Sequence, residues 1–204
     1  MMIIEVTHNG VEEVTAGIHL SSDGRMIMRP AGSNQELGLL RMINHCSFAL
    51  QRQMRVLEIG SYSGESAELF VKSGHVSAIC CVDAWKNGYD DNDLASHFMP
   101  MDEVERSFNV IYGRYQGRIE KIKSQSHDAV SLFDDGSFDL VYIDAAHTYT
   151  GCKQDIEDYL PKVRTGGYLA GHDYCKRPIL YAIRDTIGVV DENFIDYSWI
   201  KRIQ

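Results

Sequence analysis

The cysteines of this chain lack metal-binding or redox spacing. The five cysteines are an odd number, and no two of them form a Cys-x-x-Cys pair. The common zinc and thioredoxin-like patterns are therefore excluded, because both need such pairs. We interpret the cysteines as reduced thiols of a cytoplasmic protein.

The chain also lacks an excess of positive charge and any long apolar run. It has 29 acidic and 20 basic residues, which gives a formal net charge of −9 at pH 7. Nonspecific nucleic-acid binding needs a cationic surface, so we expect no nucleic-acid partner. No apolar run approaches membrane-spanning length, and the first residues do not resemble a signal peptide. We therefore expect no membrane association.

The pattern of the sequence is typical of one globular α/β domain over residues 1–204. Residues 1–53 form an N-terminal extension, in which we predict a hairpin around Ser22-Asp23-Gly24 and a helix capped by Ser33. This extension could support a homodimer. From residue 54 to 204, short apolar runs alternate with helical segments. Strands joined by helical crossovers predict a doubly wound, mostly parallel sheet with helices on both faces.

Two further expectations concern the second half of the chain. Val189-Val190 and residues 199–203 are predicted to form a closing antiparallel pair. Acidic residues also recur within the helix predicted over 150–160, and we expect their face of the helix to be exposed: Asp155, Glu157 and Asp158.

Two glycines, Gly60 and Gly64, flank the turn that leaves the first strand of this core. Glycine allows a sharp turn and the close approach of a ligand, and the following helix directs its first amides toward that ligand. The dinucleotide fingerprint Gly-x-Gly-x-x-Gly is missing. Glu58, at the end of the strand, would repel a diphosphate. The same carboxylate favours a ligand that carries an ammonium and a sulfonium, such as S-adenosylmethionine, by about 4 kcal/mol before desolvation.

Asp83 ends the next strand and supports the same interpretation. An acidic residue at the second strand's end, about twenty positions on, is placed to bind both ribose hydroxyls of a nucleoside. Trp85 follows it and could lie against the adenine ring, although half-buried loop packing is an equal alternative.

The segment Glu58-Ile59-Gly60-Ser61-Tyr62-Ser63-Gly64-Glu65-Ser66 resembles the first motif of class I S-adenosylmethionine-dependent methyltransferases. It is similar to the catechol and caffeoyl-CoA O-methyltransferases, and the later Gly166-Gly167 to His172-Asp173-Tyr174 segment is similar to macrocin-type O-methyltransferases. This resemblance, over residues 54–175, implies a Rossmann-like seven-stranded sheet with an antiparallel last strand. It also implies two further groups of cofactor-binding residues: Ser61, Tyr62 and Ser66 on the methionine side, and Ser124, Gln125 and Ser126 near adenine.

A second group of candidate residues follows two other strands: Asp144 and His147 after one, His172 and Asp173 after the next. If these strands are neighbours, the two carboxylates face each other and need a counter-charge, which Mg²⁺ could supply. In the catechol-type family, a lysine stands at the position of His147 and acts as base, and an asparagine stands at the position of Tyr174. Histidine can serve as general base. The lost asparagine removes one metal ligand, and His172 or His147 could replace it, which would favour a softer metal.

The sequence therefore predicts methyl transfer from S-adenosylmethionine to a small-molecule acceptor, at a hydroxyl oxygen. Asp144 and His147 are the catalytic candidates, and Asp144, Asp173 and His172 are the candidate ligands of Mg²⁺ or another divalent cation. Either His147 takes the proton of the acceptor hydroxyl, or a metal lowers the pKa of that hydroxyl. The alternatives are a nicotinamide-dependent oxidoreductase, a nucleic-acid methyltransferase and a non-catalytic nucleotide-binding module.

Overall fold

A computed structural model describes residues 19–88 and 99–204 of the chain. The first part of the predicted hairpin and most of the polar segment predicted between Trp85 and Pro100 lie outside these residues. In the ranges that are described, no helix is both long and apolar enough to cross a membrane.

The chain begins with a short hairpin and a long helix, which are β1 (His19–Leu20), β2 (Met26–Ile27) and α1 (Asn34–Leu50). Strands and helices then alternate as β3 (Met54–Ile59), α2 (Glu65–Lys72), β4 (Val76–Asp83), α3 (Met101–Arg114), β5 (Ile119–Lys123), α4 (Ser126–Ala129), β6 (Phe138–Ile143), α5 (Tyr149–Tyr159), β7 (Val163–Gly171), α6 (Arg177–Ile187), β8 (Glu192–Asn193) and β9 (Trp199–Arg202). Short 3₁₀ turns follow α4 and α5, at Val130–Leu132 and Leu160–Lys162.

The central sheet has seven strands in the order β5-β4-β3-β6-β7-β9-β8. Strand β9 runs antiparallel to both of its neighbours, and the other pairs are parallel. This confirms the predicted Rossmann-like sheet with an antiparallel last strand. Helices on both faces cover it, and each face has its own apolar core. All six residues of β6 are buried, as expected for a central parallel strand.

The closing hairpin differs from the prediction. Val189-Val190 lies outside any strand, and Val189 is 74% exposed. The turn between β8 and β9 fixes the pairing instead, because the buried carboxylate of Asp196 accepts hydrogen bonds from the backbone N–H and hydroxyl of Ser198. Pairing begins directly beside this turn, so the strand forms at Glu192–Asn193.

The helix α1 begins as the sequence predicts. The hydroxyl of Ser33 accepts the backbone N–H of Glu36, and the Glu36 carboxylate accepts the backbone N–H of Gly32. Helix α5, in contrast, does not expose all its acidic residues. Asp155 is buried, on the face that carries Cys152, Ile156 and Tyr159, because residues three and four apart share a helix face.

The arrangement of the strands determines where a ligand can bind. Strands β3, β4, β6 and β7 end at the same edge of the sheet, because parallel strands share a direction. The strand order reverses between β3 and β6. Ligands of open α/β sheets bind in the crevice outside the carboxyl ends at such a reversal.

Candidate active site

A cavity of about 320 Å³ opens at this reversal. The loops after β3, β4, β6 and β7 and the segment after β2 surround it. The predicted site residues that line it are Gly60, Ser61, Tyr62, Ser66, Asp83, Ser126, Asp144, His147, His172 and Asp173. A second, more open groove of about 900 Å³ lies between α1 and β8 and contains none of them.

Gly60 brings two walls of the cavity together. Its φ is +87°, and a Cβ placed there would lie 2.1 Å from the backbone oxygen of Asp144. The N–H of Asp144 in turn donates to the carbonyl of Ile59 at 2.8 Å. The loop after β3 therefore packs directly against the loop after β6, and only glycine allows both the conformation and the contact.

Asp83 holds the backbone of the wall that the loops after β3 and β4 form. Its two carboxylate oxygens accept the N–H groups of Tyr62 at 2.8 Å and of Trp85 at 2.7 Å. Both residues have positive φ, 44° and 41°, in the left-handed region that non-glycine residues rarely adopt. Such strained residues are characteristic of functional sites. Burial raises the pKa of Asp83, although these backbone N–H groups oppose the rise.

Trp85 lies behind this wall and outside the cavity lining. Its indole N–H donates to the carbonyl of Tyr62 at 2.9 Å, and its ring packs against Phe108. The ammonium of Lys121 lies 4.6 Å from the ring centroid. The predicted contact with adenine does not fit this arrangement, because the indole is 5% exposed and already packed.

Four other predicted cofactor residues also lie outside the lining: Glu58, Gly64, Ser124 and Gln125. Ser124 and Gln125 precede α4, and only the next residue, Ser126, reaches the cavity. Gly64 is the N-cap of α2, with φ +87°. It turns the chain so that the first residues of α2, Glu65 and Ser66, face the cavity.

Glu58 is completely buried beneath the cavity floor, on the sheet face that also carries Cys81 and Tyr142. Neither carboxylate oxygen has a hydrogen-bond partner of good geometry among the described residues. Burial raises the pKa of Glu58 to about 6, against the opposing influence of the hydroxyls of Ser66 and Ser61. The residue is thus an under-compensated acid next to the predicted cofactor loop.

The acidic and imidazole residues predicted from the second pair of strands do come together. The Nε2 atom of His147 lies 2.9 Å from an oxygen of Asp173 and 4.0 Å from Asp144. The Nδ1 atom of His172 is 3.4 Å from Asp173 and 3.7 Å from Asp144. Asp173 has φ +62°. We call Asp144, His147, His172 and Asp173 the acid–imidazole cluster.

This cluster perturbs the pKa values of its members. Burial would lower the pKa of His147, but the hydrogen bond with Asp173 and the charge of Asp144 raise it overall. The pKa of Asp173 falls despite burial, because His147, His172 and Lys176 stabilise its charged form. Perturbed titratable groups in a cleft are typical of catalytic sites.

Two cations that the sequence did not single out complete the cluster. The guanidinium of Arg29 lies 3.5 Å from an oxygen of Asp144, and the ammonium of Lys176 lies 2.7 Å from an oxygen of Asp173. Burial would lower the pKa of Arg29, but the surrounding acidic groups, Asp144 and Glu58 among them, raise it overall. Each carboxylate of the cluster is therefore paired with a positive charge.

Glu65 fixes the position of Arg29. Its carboxylate accepts the backbone N–H of Met28 at 2.8 Å and that of Arg29 at 3.1 Å. The preceding hairpin is attached to the same helix, because Arg25 pairs with Glu68 at 2.6 Å. Helix α2 thus holds the segment that carries Arg29 over the cavity.

Asp155 supports the loop that carries His147. Burial raises the pKa of its carboxyl to about 6, although the hydroxyl of Ser126 and the backbone N–H of Ala146 favour the charged form. This residue connects the predicted adenine-side residue Ser126 with the loop after β6.

The cluster has the geometry of a metal site but an unsuitable charge. Among the described residues, ligating atoms of Asp144, His147 and Asp173 lie within 4.8 Å of one another. The third residue of this possible ligand set is His147, whereas the sequence analysis predicted His172 as the third ligand. Because each carboxylate already pairs with Arg29 or Lys176, the residues present do not fit Mg²⁺, which needs uncompensated oxygen ligands.

Comparison with known proteins agrees with the fold. A family model described as "Methyltransferase domain" matches residues 57–174, which is more than half of the chain. An uncharacterized protein of Sinorhizobium fredii, y4gI, is 26% identical over 130 residues. That match covers 60% of this chain but 13% of the relative, so the chain spans a small part of its length.

Solved structures show the same fold at low identity. The O-methyltransferase NovP superposes with a TM-score of 0.56 and 18% identity, over 81% of this chain and 79% of its own. A Staphylococcus aureus protein described as a caffeoyl-CoA O-methyltransferase gives a TM-score of 0.56 and 15% identity, over 81% and 82%. The motif around Gly60, the sheet order and the family model all agree: the chain belongs to the methyltransferase-domain family, with the fold of class I S-adenosylmethionine-dependent methyltransferases.

Proposed function

We propose that this chain transfers a methyl group from S-adenosylmethionine to a hydroxyl oxygen of a small molecule, with His147 as general base. The single observation that carries the proposal is the contact of His147 Nε2 with Asp173 at 2.9 Å, within the cavity that Gly60 and Asp83 also line. A general base must stand in the site with its orientation fixed.

The cavity divides into two ends with different chemistry. Gly60, Ser61, Tyr62 and Asp83 form the end that would bind the cofactor, and Glu58 lies beneath it. Bound there, S-adenosylmethionine supplies an electrophilic methyl group on a positively charged sulfur. Glu58 favours that positive charge, and Asp83 accepts hydrogen bonds from a ribose.

The acid–imidazole cluster forms the other end, where the acceptor would bind. His147 takes the proton of the acceptor hydroxyl at Nδ1 as the oxygen attacks, because its Nε2 is engaged by Asp173. Asp173 orients the imidazole and stabilises the imidazolium that forms, as a carboxylate does behind a catalytic histidine. Holding both reactants in line supplies much of the acceleration.

The supporting observations also weigh against the alternatives. Glu58 and the Gly60-Ser-Tyr-Ser-Gly64 loop do not suit the diphosphate of a nicotinamide cofactor. A net charge of −9 favours a small-molecule acceptor over nucleic acid. All five cysteines are free thiols, which supports a reducing, cytoplasmic location.

Calorimetric titration with S-adenosylhomocysteine and with NAD tests the cofactor, and mass spectrometry over a panel of hydroxylated acceptors tests the reaction. We expect binding of the former alone and a gain of one methyl group in the product. His147→Ala should slow product formation by about 10² to 10⁴ and leave cofactor affinity unchanged. Preferential binding of NAD would contradict the proposal, and so would methylation at carbon or nitrogen alone.

A further inference from the structure

The charge balance of the acid–imidazole cluster has a consequence for how the acceptor is activated. Asp144 and Asp173 contribute two negative charges inside a cavity, and close carboxylates need compensation. Arg29 contacts Asp144 at 3.5 Å and Lys176 contacts Asp173 at 2.7 Å. Two cations therefore balance two anions before any ion or substrate binds.

Both cations are held in place by other parts of the fold. The backbone N–H groups of Met28 and Arg29 bind the Glu65 carboxylate, and the Arg29 side chain is 16% exposed. Lys176 is the N-cap of α6, and its backbone N–H donates to the carbonyl of Asp173 at 2.9 Å. It is half-exposed, so Arg29 contributes the stronger compensation.

A divalent cation entering this cluster would meet these two charges at close range. Its attraction to Asp144 and Asp173 would be opposed by repulsion from Arg29 and Lys176, unless both side chains moved away. The third available ligand is an imidazole, which suits softer metals than magnesium. The cluster thus has ligand atoms at distances suitable for a metal, but it lacks the net negative charge that binding of a hard cation requires.

From this arrangement we infer that Arg29 and Lys176 take the electrostatic place of a divalent cation, so that the cluster activates its acceptor without a metal. The inference rests on the proposed methyl transfer at this site. It also defines the acceptor more closely. Without a metal to chelate, the acceptor does not need two adjacent oxygens, and a single hydroxyl facing His147 is sufficient.

Binding of Mn²⁺, measured by electron paramagnetic resonance on the whole protein without donor or acceptor, tests this inference. We expect the wild type and its Asp144→Asn variant to bind Mn²⁺ equally weakly. The double variant Arg29→Met/Lys176→Met should bind one Mn²⁺ about tenfold tighter or more, because two opposing charges are gone. Adding Asp144→Asn to the double variant should return the affinity to that of the wild type.

A matched control removes the same charge elsewhere. Arg106 and Lys153 form exposed ion pairs with acidic neighbours on their own helices. Arg106→Met/Lys153→Met should bind Mn²⁺ no better than the wild type. A double variant at the cluster that binds no tighter than this control would overturn the inference.

The comparison of the wild type with Asp144→Asn keeps the inference testable if the double variant Arg29→Met/Lys176→Met fails to fold. One Mn²⁺ bound at least tenfold tighter by the wild type than by Asp144→Asn would also overturn it. Methyl transfer should persist in the presence of a chelator. Because Mn²⁺ binding needs neither donor nor acceptor, its outcome is separate from that of the proposed methyl transfer, which the calorimetric titration tests.

Discussion

Replacing Glu58 with glutamine should make the protein more stable and its cofactor binding weaker. The carboxylate is fully buried, and its pKa rises from an ordinary 4.5 to about 6. Such a group binds its proton more tightly in the folded state than in the unfolded state. The contribution of this proton to the free energy of unfolding is fully present below about pH 4.5, and it is lost as the pH rises through about 6.

The size of this effect follows from the pKa. A rise from 4.5 to about 6, at about 1.4 kcal/mol per pKa unit, corresponds to about 2 kcal/mol. Glu58→Gln removes the ionisable carboxyl, so the variant does not lose this stability as the pH rises. The variant should therefore gain up to about 2 kcal/mol over the wild type at pH 8. The gain should shrink toward pH 4.5.

Urea unfolding between pH 4.5 and 8, followed by circular dichroism, measures this difference. Glu68→Gln provides a matched control, because Glu68 is also buried but pairs with Arg25 and Arg114, and its pKa is lowered. That variant should lose stability, most at high pH. If the advantage of Glu58→Gln does not change with pH, the buried carboxylate does not titrate as described and the reasoning is wrong.

The same substitution should have the opposite effect on the cofactor. Removing the negative charge beneath the cavity should weaken S-adenosylmethionine binding by about tenfold or more, or about 1.4 kcal/mol. Wild-type affinity should also fall as the pH drops through about 6, whereas that of Glu58→Gln should not. Calorimetry at pH 5 and 8 checks both, and unchanged affinity in the variant would refute the electrostatic role.

Three further changes test other parts of the site. Gly60→Ala should destabilise the protein by about 2 kcal/mol or more, since its Cβ would lie 2.1 Å from the backbone oxygen of Asp144. Urea unfolding should show a much smaller loss of stability for Gly24→Ala, because Gly24 has a similar φ but open space around it. Equal losses would contradict the close contact. His147→Ala should slow methyl transfer by about 10² to 10⁴, measured by mass spectrometry of the product; a loss confined to cofactor affinity would argue for a binding role instead. Asp155→Asn should gain up to about 3 kcal/mol above pH 6, because burial raises the pKa from 3.8 to about 6; a gain that persists at pH 4 would show another cause.

The sequence was sufficient to predict the sheet and ten of the 22 residues that line the cavity. The turn at Gly60, the acid at Asp83 and the residues after β6 and β7 follow strand ends, and parallel topology then places all of them at one edge. Local signals therefore determined a non-local site. The motif around Gly60 further identified the family, which the family model confirms.

Two of the missed residues are Arg29, which reaches the site from a distant part of the chain, and Asp155, whose helix face was misjudged. Arg29 is 115 positions from Asp144, and no pattern near it indicates the contact. Asp155 did carry a signal, because Cys152, Ile156 and Tyr159 place it on an apolar helix face. Trp85 was misplaced because an aromatic residue after an acidic strand end can face the ligand or support the loop, and only packing against Phe108 and Lys121 distinguishes the two.

Glu65 connects helix α2 with the segment that carries Arg29. It begins helix α2, whose first turn faces the cavity, and its carboxylate accepts the backbone N–H groups of Met28 and Arg29. A displacement of the first turn of α2 would therefore carry Arg29 with it, because the backbone of Arg29 is bound to the Glu65 carboxylate.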